Sequence, residues 1–186
     1  MGSAIVELFL LSLPSLLYTR RLRRSGCDRR GALRAVGLQR GSNRAYVLAL
    51  ILVPVASGLA LALVGLIPAG ILHGHSKNVI GTPTTAAGYA GIVILALAEE
   101  MLFRGFLASL LFRRYGFQIG NAIQAAVFLA PHLLLLLVSL QLWPILPLQL
   151  IAGWVLGWLR HRADSIAPGW LLHAVINLLP ALVLAG

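Results

Sequence analysis

Six apolar runs alternate with short polar segments along this chain of 186 residues. They cover Ala4–Tyr18, Tyr46–Leu72, Ala86–Phe112, Asn121–Leu140, Leu146–Leu159, and a last stretch capped by Asp164 or Ser165 that continues to about Leu184. In hydrocarbon every backbone N–H and C=O must find its partner inside the protein, so unbroken apolar runs of this length fold as helices. The expected fold is all-α: a polytopic membrane helix bundle of about six transmembrane helices, forming a single domain over residues 1–186. Composition agrees, because only 11% of the residues are charged, against about a quarter in soluble domains.

The net charge of +10 comes mostly from one place. Nine of the fourteen arginines lie between Arg20 and Arg44, beside an apolar run. That is the pattern of a cytoplasmic loop, here residues 19–45, facing anionic lipid, and it excludes a nucleic-acid partner. Within it, Arg30–Gln39 has the composition of a short basic helix, read as a solvated topology determinant. With six spans, Arg20–Arg44, Arg113–Arg114 and Arg160–Arg162 fall on one side and Lys77 alone on the other. The positive-inside rule then puts both termini outside and the arginines in the cytoplasm. The Arg-over-Lys bias suits a bacterial inner membrane, and the arginine side suggests a cytoplasmic opening for substrate. The lone Cys27 excludes an internal disulfide. His73-Gly74-His75, in a polar outer loop, has no third ligand near enough for a structural metal site. Glu7, close to a helix start, is read as interfacial.

Charges inside the spans need a reason, since each costs at least roughly 2.5–3.5 kcal/mol at membrane depth. Ala96 to Arg104 reads Ala-Leu-Ala-Glu-Glu-Met-Leu-Phe-Arg. Glu100 and Arg104 are four apart, on one helix face, with the acid first, which is the favourable order for an ion pair. Glu99 is rotated about 100° away. One carboxylate is thus neutralised and the other left available. His132 interrupts the fourth run, and His173 and Asn177 interrupt the sixth. Helix rise places Glu99, His132 and His173–Asn177 at one layer, each roughly 13–20 Å from the arginine-rich ends. Gln124, two turns before His132, is expected to face the same cavity; Gln141 and Gln149 need no special reading.

Glu99-Glu100-x-x-x-Arg104, Phe128-x-x-x-His132 and His173-x-x-x-Asn177, in that order, resemble the three motifs of the CAAX protease and bacteriocin-processing family. That family includes the type II CAAX prenyl endopeptidases, which are intramembrane glutamic-type peptidases. Gly105 and the stretch Gly153-Trp154-Val155-Leu156-Gly157-Trp158 fit the resemblance too. It covers about Ala86 to Leu179. The resemblance implies Glu99 as general base, His132 orienting the same water, and His173 and Asn177 donating to the oxyanion, with Glu100 and Arg104 in support. It implies no cofactor and no metal, and a membrane-anchored protein or peptide as substrate. Bacteriocin maturation, immunity and trimming of sorting tails are all known among relatives, and the motifs do not choose between them.

Other readings use the same residues. A zinc-dependent membrane hydrolase would recruit Glu, His and His as ligands, although His-Glu-x-x-His spacing is missing and Arg104 would repel a cation. A peptide-binding or bacteriocin-immunity membrane protein would line its cavity identically and cut nothing. A proton-coupled transporter would be expected to carry an inverted repeat, and none is seen.

Overall fold

Apolar runs become helices because nothing else pairs their backbone, and the polar residues between them decide where each helix begins. The computed structural model describes residues 2–73, 83 and 85–185. The polar outer loop, with His75 and Lys77, lies outside the described residues, and with it the His-Gly-His pair. The described part before that loop holds four helices: α1 Gly2–Arg24, α2 Arg29–Ala35, α3 Asn43–Val64 and the short α4 Ala69–His73. Then come α5 Ala86–Glu100, a π-helical turn Met101–Leu107, and α6 Ala108–Leu129. A 3-10 segment Ala130–Leu134 leads through α7 Leu135–Val138 and a second 3-10 turn Leu140–Leu142 to α8 Ile145–Ala163 and α9 Ala167–Ala185. Side-chain oxygens of Asp28, Ser42 and Thr85 accept from backbone N–H groups in the first turns of α2, α3 and α5, the usual capping chemistry.

Among the described residues, four stretches are long and apolar enough to cross a bilayer: Gly2–Arg24, Asn43–Val64, Ala86–Val138 and Leu140–Ala163. The third, 53 residues long, is too long for one span. It breaks at Gly116, whose φ of 73° is the left-handed region that glycine enters without steric cost. The sharp reversal there needs one residue, where a turn over Gly116–Gly120 was expected. Span two also ends earlier than expected, at Val64. The chain turns through Gly65–Pro68 and resumes as α4, since Pro68 cannot continue a helix.

Large apolar side chains such as Phe9, Leu50, Val55, Leu137 and Leu140 stand exposed around the bundle, the surface a lipid environment requires. Inside, small residues let helices approach. Ala45, Ala49 and Ala60 of α3 pack with Leu156, Leu159 and Ala163 of α8 and Leu172 and Ile176 of α9. Close approach through small residues is how membrane helices gain packing energy where lipid removes the hydrophobic one.

The arginine-rich ends meet at one end of the bundle. Arg113 Nη1 donates to the Tyr18 hydroxyl at 3.0 Å. The 28–42 segment is docked there instead of free in solvent, which corrects the expectation of a solvated loop. Ala32 and Val36 are fully buried. Arg160 Nη2 donates to the Ala35 carbonyl at 3.2 Å, Ile166 N donates to the Gly37 carbonyl at 3.0 Å, and the Ser165 hydroxyl donates to the Gln39 carbonyl. Gly37 has φ 72° and leaves room for the Arg160 guanidinium; a Cβ there would lie 2.5 Å from Nε. Asp164 adopts the left-handed conformation that ends α8, and the Ser165 hydroxyl accepts from Ala167 N at 3.1 Å, so Ser165 caps α9.

Candidate active site

The polar cluster rests on an irregularity that the sequence reading missed. Straight after Glu100 the helix widens into the π turn Met101–Leu107, in which Ala108 N–H reaches back to the Phe103 carbonyl. Such single-turn bulges recur at functional sites, because widening a turn redirects side chains and frees carbonyls. Ser15 of α1 takes one of these, donating to Met101 O at 2.5 Å. Gly105 makes the approach of α1 feasible, since a Cβ there would lie 2.7 Å from Ser15 Oγ.

Arg104 Nη1 lies 2.9 Å from Glu100 Oε1, both side chains fully buried. The guanidinium sits 4.2 Å above the Phe128 ring, and its Nη2 contacts Gly153 O at 3.4 Å. Phe128 is therefore the packing surface for the arginine. The same Glu100 Oε1 is 3.0 Å from His173 Nδ1. Glu100 Oε2 has no hydrogen-bond partner among the described residues and lies beside Gly169, in the first turn of α9, where the helix dipole favours negative charge.

His173 bridges the two acids. Its Nε2 is 3.5 Å from Glu99 Oε2. Glu100, held by Arg104, only accepts, so Nδ1 must carry a hydrogen. That bond turns Nε2 towards Glu99. Glu99 is also the less buried of the two acids, its side chain 20% exposed against 0% for Glu100.

His132 is half-buried on the 3-10 segment that follows α6. Its Nδ1 is 2.9 Å from Phe128 O. Donation there fixes the tautomer and leaves Nε2 as an acceptor. Pro131, lacking an N–H, tightens the turn to 3-10 geometry.

A cavity of about 550 Å³ reaches His132, His173 and Asn177. The structure thus brings together Glu99, Glu100, Arg104 and His173 by direct contact, and His132, His173 and Asn177 on one cavity wall. The remaining wall carries residues the sequence reading placed elsewhere. Glu7, read as interfacial, lines the cavity, and so does Gln149. Gln124, expected there, instead lies fully buried against Gly157, where a Cβ would be 2.6 Å from Gln124 Oε1 and 1.9 Å from Asn121 Oδ1. The cavity also extends along Ser3, Val64, Gly88 and Ala181, which are at the helix ends remote from the arginines. An opening on the arginine side is therefore not what this cavity provides.

The residues that close around this cluster also match a known sequence family. A family model described as type II CAAX prenyl endopeptidase Rce1-like matches residues 81–179, just over half of the chain. No curated protein and no solved structure gives a match.

Proposed function

Since the chain belongs to the Rce1-like family of type II CAAX prenyl endopeptidases, it is a multi-pass membrane protease, and we propose that it cleaves its membrane-associated protein substrate with a water activated by Glu99. The observation that carries this reading is the division of labour between two adjacent acids. Glu100 is committed to Arg104 and His173, whereas among the described residues Glu99 has only the Nε2 of His173 as a charged partner. A carboxylate held next to an imidazole, with its neighbouring acid already paired, is suited to take a proton from water and return it.

The steps follow from these positions. Glu99 takes a proton from water while His132, through its unprotonated Nε2, orients the same water. The hydroxide oxygen bonds to the scissile carbonyl carbon, and the carbonyl electron pair moves to oxygen. Asn177 donates to that oxyanion. His173 Nε2, only loosely held at 3.5 Å from Glu99, supplies a second donor. Each such donor is typically worth roughly 2.7–4 kcal/mol in the transition state. The C–N bond then breaks as Glu99 returns its proton to the leaving amine. Arg104 pairs with Glu100, and Glu100 in turn holds the His173 ring in place.

This chemistry requires no metal ion, and the buried guanidinium beside Glu100 works against a divalent cation at that carboxylate. Purified protein is expected to keep its activity in strong chelators. Loss of activity that added zinc restores would replace the glutamic mechanism with a metal one. The substrate itself is found by comparing the termini of membrane proteins in cells with the wild-type chain and with Glu99→Gln. New termini that vanish with Glu99→Gln are expected, and an unchanged set would contradict the proposal.

A further inference from the structure

Four of the five acidic residues have a visible occupation. Asp28 caps α2, Asp164 pairs with Arg34 and Arg160, Glu100 pairs with Arg104, and Glu99 meets His173. Glu7 is different. It projects from α1 to the cavity wall, and among the described residues it forms no ion pair. Among the described residues no lysine or arginine lines that cavity either. A carboxylate inside a membrane-embedded cavity calls for a cation, and the described protein brings none to it.

Its depth can be read from the helices. Ala4 faces Gly91, and Ser15 reaches Met101, so α1 runs parallel to α5. Glu7 is then level with about Ile94, five residues from Glu99, or roughly 7–8 Å along the axis towards the arginine-poor end. An extended peptide advances about 3.3 Å per residue, so that offset corresponds to about two residues of substrate.

We propose that Glu7 is a specificity residue that binds a lysine or arginine side chain of the substrate about two residues from the scissile bond. The substrate then occupies the cavity from the arginine-poor end, with Glu7 holding its cationic side chain and His173 and Asn177 at the reacting carbonyl. This rests on the peptidase reading for its place in the reaction, and on the cavity alone for binding.

The test uses full-length protein carrying Glu99→Gln, so that bound peptide stays intact. The probes are short apolar peptides, blocked at both ends, identical except for one residue that is Lys, Ala or Glu at successive positions. Anisotropy of a fluorescent label reads affinity. At one position the lysine peptide is expected to bind about tenfold tighter than the alanine peptide, the scale of a poorly solvated ion pair. Adding Glu7→Gln should bring that ratio close to one, and adding Glu7→Lys should turn the preference towards the glutamate peptide. Equal binding of the three peptides, no binding of any, or a lysine preference that survives Glu7→Gln overturns the proposal. Cleavage of the same peptides by wild-type chain separates the two ideas. Glu99-dependent cutting without any effect of Glu7 removes this site and leaves the peptidase. Glu7-dependent binding without cutting does the reverse.

Discussion

Arg104 Nη1 and Glu100 Oε1 face each other across 2.9 Å with no solvent access to either side chain. Breaking one half of a buried pair leaves a bare charge, which costs far more than removing both halves. Arg104→Met should therefore lower unfolding stability in detergent by about 3–5 kcal/mol. The double variant with Glu100→Gln should recover part of that loss. Thermal or denaturant unfolding reads both. A double variant as unstable as the sum of its singles would mean the pair does not act as a unit.

Gly157 is where α8 passes closest to the buried amides of α6. A Cβ there would fall 1.9 Å from Asn121 Oδ1, and Asn121 cannot swing aside without losing its bond to Trp154 O at 3.0 Å. Gly157→Ala should destabilise by about 1–3 kcal/mol through overpacking. Shortening the neighbour with Asn121→Ala in the same chain should relieve some of it. Unfolding of the three variants checks this.

His132 is tied at Nδ1 to Phe128 O and so has one nitrogen left for water. His132→Ala should lower kcat by about 10²–10⁴-fold, the range of a lost acid–base or water-orienting group, with KM little changed. A KM effect with kcat intact would make it a substrate-binding residue. Steady-state kinetics on a cleaved peptide distinguishes the two.

Much of this site was legible in the residues. Glu100 and Arg104 pair because i and i+4 share a helix face, and that spacing needs no tertiary knowledge. Convergence of His132, His173 and Asn177 on one cavity followed from counting rise along helices of known direction. What was not legible depends on neighbours. The π turn after Glu100 is met by Ser15, which packs against Gly105 from another helix, and their sequence separation of 90 residues carries no local signal. Gln124 was assigned to the cavity from its spacing to His132, but the 3-10 segment at Ala130–Leu134 breaks the helical register between them. Glu7 looked interfacial and Gln149 unremarkable because helix-end position was the only guide, whereas rotation about the helix axis put them on the cavity wall. The arginine loop looked solvated because its docking partner, Arg160 with Ser165, lies more than a hundred residues away.

Transfer of a proton from water to Glu99 is the step on which the proposed cleavage depends. Turnover of a peptide substrate by purified Glu99→Gln chain, in parallel with wild type in the same detergent, tests that directly. The side chain keeps its shape but cannot accept the proton, so turnover should fall by at least about 10³-fold while the melting temperature stays close to wild type. Turnover by the folded Glu99→Gln chain at a rate near wild type would contradict the role of Glu99 as the base.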